Sequence, residues 1–384
     1  MTDQRLRCAR VVTADGVLEP ATVTITGSFI SAVEESEAVD GHQDAGGSVP
    51  GWTVPGFVDT HVHGGGGADY ATTDPERARS ARAFHLRHGT TSTFASLVTA
   101  DLDTLEAQIA TLLPLVEDGE LSGIHLEGPF LSPAKRGAHD QTQLRDPDPA
   151  ALQRLLSAGH GAIAMITIAP ELPGGLAAVE QIVASGVVAA IGHTDGDELV
   201  TRRALDAGAN VVTHLFNAMR PIHHREPGPV PRLLSDERAV VELICDGFHL
   251  HPDVVRLAIA AAGPNRVALV TDAMAAAGAD DGRYRIGTLD VAVSGAQARL
   301  VEADGTLGSI AGSTLTMADA FSVVVGSGVS IPDAAVMAST TPARRHRIDS
   351  VGETRVGARA DLCVVDDHGR LQRVMHRGRW VSSD

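Results

Sequence analysis

The apolar and polar positions of this 384-residue chain fall into two kinds of pattern. Both ends carry short β-type runs. Residues 5–13 and 21–26 are rich in Val, Ile and Thr, with Asp15-Gly16 between them as a hairpin signal. Residues 361–366, 371–376 and 379–381 have the same character, with turns at His368-Gly369 and Arg377-Gly378. Neither end is long enough to bury a core alone. The two are therefore expected to pair into one small β-sandwich domain, residues 1–53 with 346–384. The middle, residues 54–345, carries eight β-rich runs: 54–63, 90–97, 123–131, 162–170, 187–194, 211–217, 240–248 and 267–274. Most are continuous apolar runs rather than alternating ones, as parallel strands covered on both faces require. Helix-like segments fill most of the gaps, at 75–88, 102–117, 173–185, 197–207 and 252–262. This alternation predicts an α/β chain whose body is a (β/α)8 TIM barrel. Residues 289–300, with Ser294-Gly295 inside them, read as a hairpin inserted after the eighth strand.

Composition narrows the partners. The formal net charge is -17, and aromatics make up 3% of the residues. An acidic chain repels phosphate backbones and anionic lipid, and few aromatics leave no stacking platform for single-stranded nucleic acid. Neither nucleic acid nor a membrane is expected as a partner. The three cysteines, Cys8, Cys245 and Cys363, form no CxxC pair, which suits a reducing cytoplasm. The N-terminus has no apolar signal-peptide core, and no run is long enough to span a bilayer, so a cytoplasmic location is expected. Cys245 reads as core.

In a (β/α)8 barrel the C-terminal ends of the strands converge on one mouth, where active sites lie. His61 and His63 end the first run, Glu127 lies near the end of the third, and His193 ends the fifth. His214 is late in the sixth and Asp272 near the end of the eighth. Two histidines at i and i+2 on a strand face the same way and can share a cation. Imidazole and carboxylate are the donors that Zn2+ and related divalent ions take. The six thus define a candidate site for one ion or two, with Glu127 placed to bridge. A lone strand-end histidine, or HxH by itself, is ordinarily a core or loop residue; six candidates at converging ends carry the reading. Residues 219–232 hold Arg220, His223, His224, Arg225 and Arg232 against one acid, Glu226. This positive island suits bidentate phosphate contact, with a solvated basic loop as the competing reading. The glycine run 64–67 lacks the Lys and Ser or Thr of a nucleotide loop and reads as a bend beneath the site.

The run Val54-Pro55-Gly56-Phe57-Val58-Asp59 leading into His61-Val62-His63 resembles the amidohydrolase superfamily. A finer pattern follows in His125-Leu126-Glu127-Gly128-Pro129-Phe130, Gly192-His193-Thr194-Asp195 and Thr213-His214-Leu215-Phe216-Asn217-Ala218-Met219. It continues in Asp246-Gly247-Phe248-His249, Thr271-Asp272-Ala273-Met274 and Ala311-Gly312-Ser313-Thr314-Leu315-Thr316-Met317. Together these resemble the N-acetylglucosamine-6-phosphate deacetylase family over nearly the whole chain. The resemblance implies metal-dependent hydrolysis of the acetamide of N-acetylglucosamine 6-phosphate to glucosamine 6-phosphate and acetate, in amino-sugar breakdown or cell-wall recycling. Glu127, His193 and His214 match its metal ligands. His61 and His63 match ligands of a second ion, which some members have replaced, so their presence implies a site able to hold two. Asp272 matches the general base and then acid, itself in reach of metal, and His139 matches the group that polarises the acetyl carbonyl. Ala138, His139, Asn217, Ala218, Arg225, Asp246, His249, Ile310, Ala311 and Gly312 match substrate contacts. Arg225 is expected to reach a neighbouring subunit's site, which implies a homodimer. One or two divalent ions per subunit are expected, with Zn2+ first and Fe, Co, Mn or Cd as alternatives.

Two competing readings are weighed against this one. Another amidohydrolase activity is the first, either an N-acyl-amino-acid deacetylase or a cyclic amidase. Many relatives of the cyclic-amidase kind bridge their metals with a carboxylated lysine, and residues 123–131 hold Glu127 but no Lys. The second is a catalytically silent scaffold, which the intact set of six disfavours.

Overall fold

The computed structural model describes residues 3–36 and 48–382. The terminal segments hydrogen-bond into one eight-stranded sheet. Its order is Arg379–Trp380, Leu371–His376, Leu362–Val365, Ser48–Pro55, Gln4–Thr13, Ala21–Thr26 and Phe29–Glu35, with Gly16–Leu18 added beside Gln4–Thr13. The two chain ends join where Leu362–Val365 runs antiparallel to Ser48–Pro55, Leu362 opposite Pro55. Alternation drives the burial: Leu6 and Cys8 point inward while Arg5 and Arg7 stay exposed. Leu6, Val23, Ile25, Leu362, Val364 and Met375 belong to the resulting core. The Asp15-Gly16 turn pairs Thr13 with Gly16, so it serves the three-residue strand Gly16–Leu18 rather than Ala21–Thr26.

The middle forms the expected parallel barrel sheet. Its strands are β1 (Phe57–Asp59), β2 (Thr90–Val98), β3 (Gly123–Glu127), β4 (Ile163–Ile168), β5 (Val188–Ile191), β6 (Val211–Val212), β7 (Val240–Ile244) and β8 (Val267–Val270). Each is hydrogen-bonded to the next in sequence. Every residue of β2, β3 and β7 is buried, as expected of parallel strands covered on both faces, including the Thr and Ser residues of β2. The segment after β8 closes back on the one after β1: the Asp272 N–H donates to the His61 carbonyl at 2.8 Å, and the His63 N–H to the Ala273 carbonyl at 2.8 Å. Helices Leu102–Glu117 and Pro252–Ala262 fall where the periodicity places them. The first buries Leu105, Ile109, Leu112 and Leu115 on one face, and its N-terminus is capped by Asp101. Pro149–Ala158 and Val230–Ser235 are further helices that the pattern did not predict.

Three local expectations change. The run 54–63 is not one strand: Ser48–Pro55 belongs to the terminal sheet and β1 to the barrel. The chain changes sheets at Gly56, where a Cβ would sit 2.3 Å from Thr91 Oγ1. The expected hairpin at 289–300 is the centre of a four-stranded antiparallel sheet, Gly282–Ile286, Leu289–Ser294, Gln297–Val301 and Leu307–Ile310. The glycine run is a small hairpin, Gly64–Gly65 against Ala68–Asp69. The chain divides into two compact units, one of residues 1–59, 85–92 and 316–384, the other of 60–84 and 93–315. Among the described residues no helix is long and apolar enough to cross a membrane.

Candidate metal centre

All six predicted ligands lie in the second unit, and local backbone geometry aims them. β3 ends on Glu127. β5, β6 and β8 stop two residues before His193, His214 and Asp272, and these three have φ of +47°, +28° and +49°. A left-handed backbone is uncommon for a residue with a side chain and costs of order 1–3 kcal/mol. Its recurrence at the same offset from three strands ends the ladder and swings each side chain into the mouth. His61 and His63 follow β1 in a segment without regular structure, beyond a bend at Thr60. Their ring Nε2 atoms still meet, 3.2 Å apart.

Glu127 is the hub. Its Oε1 lies 3.1 Å from His193 Nε2 and 3.0 Å from His214 Nε2, which are 3.1 Å from each other. Its Oε2 lies 3.1 Å from His63 Nε2 and 3.3 Å from His139 Nε2. Asp272 Oδ1 is 3.4 Å from His61 Nε2 and 3.2 Å from His63 Nε2. All these groups are buried. Two ion-sized clusters of donor atoms result, His61, His63, Glu127 and Asp272 in one and Glu127, His139 and His193 in the other. His139, matched to carbonyl polarisation, thus also stands among the donors.

The donor set fits a divalent ion. The His63 Nδ1–H donates to the Ser96 carbonyl at 3.2 Å and the His193 Nδ1–H to the Lys135 carbonyl at 2.8 Å. A carbonyl can only accept, so each ring keeps its Nε2 lone pair for the interior. Lone pairs converging on carboxylate oxygens repel unless positive charge, a proton or a metal cation, lies among them. The electrostatics agree. Burial opposes charging His61 and His63, yet Glu127 and Asp272 outweigh it and raise both, His63 to about 9. Burial alone would raise Glu127 and Asp272, but the surrounding imidazoles hold both below the usual carboxylate range. His139 goes the other way: burial lowers it to about 4, with Glu127 only partly offsetting, so its ring is neutral at pH 7.

A cavity of about 460 Å3 opens on this cluster. Of the residues matched to substrate contacts, Ala138, His139, Asn217, Ala218, His249, Ile310 and Gly312 line it. Asp246 does not; it accepts from His249 Nδ1 at 2.7 Å and so orients a lining residue. Ala311 is wholly buried in the packing of Val98, Met274 and Val291. Arg225 sits on an exposed segment outside this cavity. The basic island is smaller than the sequence suggests, because Arg220 pairs with Asp195 at 3.2 Å and Arg232 with Glu198 at 2.8 Å. Counting acids only within 219–232 missed these partners.

Glu242 is a further residue that sequence reasoning passed over. It lies on β7, is buried, and its Oε2 is 3.2 Å from His61 Nδ1. The available signal was a single carboxylate inside the apolar run Val240-Val241-Glu242-Leu243-Ile244, since unpaired acids are rarely fully buried.

A parallel barrel whose strand ends gather histidines and carboxylates around one cavity is the architecture of a metal-dependent hydrolase. The chain belongs to the amidohydrolase family, whose sequence profile matches residues 52–381. It is 34% identical over 383 residues to N-acetylgalactosamine-6-phosphate deacetylase of Escherichia coli O157:H7, covering 98% of this chain and 99% of that one. It is also 34% identical over 387 residues to N-acetylglucosamine-6-phosphate deacetylase of Bacillus subtilis (strain 168), covering 96% and 94%. Among solved structures, a mutant N-acetyl-D-glucosamine-6-phosphate deacetylase from Mycobacterium smegmatis, in complex with N-acetyl-D-glucosamine-6-phosphate, superimposes with a TM-score of 0.93. That protein is 42% identical, and the match covers 99% of each chain.

Proposed function

We propose that this protein hydrolyses the acetamide of N-acetylglucosamine 6-phosphate, giving glucosamine 6-phosphate and acetate. The observation that carries the reading is one buried cluster of carboxylates and imidazoles that forms a divalent-ion donor set on a single sugar-sized cavity. The relatives named above supply the substrate class. Glu127, His193 and His214 would hold one ion, and His61 and His63, sharing Glu127 and Asp272, a second; Zn2+ suits such nitrogen and oxygen donors best. A divalent ion bound here supplies Lewis acidity toward the acetamide carbonyl and the attacking water. Asp272, kept as a carboxylate, takes the proton of that water and passes it to the departing amine. His139 faces the same cavity and supplies a hydrogen bond to the oxygen on which negative charge develops. Asn217 and His249, the latter fixed by Asp246, take the sugar phosphate. Arg225, exposed and outside its own cavity, completes the phosphate contact of a second subunit in a homodimer, and the enzyme works in the cytoplasm.

Acetate release from N-acetylglucosamine 6-phosphate, before and after chelation and metal re-addition, tests this reading. Loss on chelation with recovery on re-addition supports it; activity indifferent to chelation, or no acetate from a metal-replete enzyme, overturns it.

A further inference from the structure

Three of the five imidazoles around the centre have an outer partner on Nδ1 that belongs to a backbone carbonyl or a hydroxyl. His63 has the Ser96 carbonyl, His193 the Lys135 carbonyl and His139 the Thr99 hydroxyl. His214 Nδ1 has no hydrogen-bond partner among the described residues. His61 alone is backed by a carboxylate, Glu242, at 3.2 Å. Glu242 is itself held: Thr60 Oγ1 donates to its Oε1 at 3.3 Å and the His214 N–H approaches its Oε2 at 3.4 Å. It therefore touches a residue of each half of the donor set, by side chain at His61 and by backbone at His214.

Two physical consequences follow. A carboxylate accepting from Nδ1–H fixes the tautomer and makes Nε2 a stronger donor than a carbonyl partner would. Charge is the second. With Glu242 the buried carboxylates in contact with the ligand histidines number three. This concentration of acidic oxygens around His61 favours positive charge at the His61/His63 position, which a cation would supply.

We propose that Glu242 is a positioning residue that sets the affinity of the second, His61/His63 metal position and so decides whether the enzyme carries one ion or two. This rests on reading the cluster as a metal-dependent deacetylase site, but its test needs no substrate, so either reading can fail without the other. The full-length protein is stripped of metal and titrated with Co2+, followed by visible absorption and by metal content after dialysis. The wild type is expected to take two ions per subunit, and His61→Ala to lose the weaker. E242Q keeps an acceptor for His61 but removes the charge; it is expected to weaken the second ion about tenfold, and E242A about a hundredfold, within the range usual for such outer partners. The ion held by Glu127, His193 and His214 is expected to change by less than threefold in both. Circular dichroism of the metal-free variants separates these outcomes from misfolding. Equal weakening of both ions, or a second ion unchanged in a folded E242A, overturns the proposal. So does a wild type that binds one ion whose affinity does not respond to His61→Ala.

Discussion

Asp272→Asn isolates the proton-carrying step from the scaffold around it. The replacement is close in size, and asparagine tolerates the left-handed backbone at φ +49° better than alanine would, so the turn after β8 should survive. The Asp272 N–H to His61 carbonyl bond that closes the barrel mouth uses backbone atoms and is untouched. What changes is one charge and one basic oxygen, 3.4 Å from His61 Nε2 and 3.2 Å from His63 Nε2. An ion held by Glu127, His193 and His214 would not rely on that oxygen, since those three close a triangle of 3.0–3.1 Å by themselves. A positioned acid–base group is worth roughly two to four decades in rate, or about 3–5 kcal/mol of activation free energy. The expected result is a folded variant with at least one ion per subunit, an acetate-release kcat lower by about a hundredfold or more, and KM shifted much less. Acetate release under substrate saturation, with metal content on the same sample, is the assay. A kcat within about tenfold of wild type would refute the role. Loss of all metal together with activity would recast Asp272 as a ligand first.

Arg225→Ala should raise KM for the 6-phosphate about tenfold or more while leaving unphosphorylated N-acetylglucosamine unchanged; equal effects on both would make Arg225 a surface charge. The three cysteines are buried, and burial pushes the Cys245 and Cys363 thiols up to about 12. Native protein at pH 8 should therefore take up little iodoacetamide and three equivalents after denaturation, as mass spectrometry would read; fast native labelling contradicts the packing. Asp361 is buried, and although burial raises its pKa, His376 and Arg359 outweigh that and depress it. A depressed carboxylate contributes stability above its unfolded pKa near 4 that is lost as pH falls through the lower folded value. Asp361→Asn should thus cost about 3 kcal/mol at pH 7 and progressively less in acid, by denaturant unfolding; a pH-independent cost refutes the linkage.

The sequence pattern reported burial more faithfully than hydrogen bonding. The run 211–217 reads as one strand, yet β6 is only Val211–Val212, because the chain turns at His214 while Leu215 remains wholly buried. The same effect stretched 187–194 past Ile191 to His193. These overshoots are where the candidate ligands stand, so strand-end histidines were legible although the strand ends were not. Gly282–Ile286, with Ile286 its one buried residue, carried too little apolar signal to be placed in a sheet. Glu242 and the pairing of Arg220 with Asp195 join elements distant in sequence, and no local pattern encodes such meetings.

Metal-dependent deacetylation of a phosphorylated amino sugar is best tested by kcat/KM for N-acetylglucosamine 6-phosphate against N-acetylglucosamine, with metal content measured on the same sample. A metal-replete enzyme favouring the phosphorylated sugar by roughly tenfold to a hundredfold, as one charged hydrogen bond or two would give, agrees with the account. Equal kcat/KM for the two sugars, or full activity from metal-free protein, contradicts it.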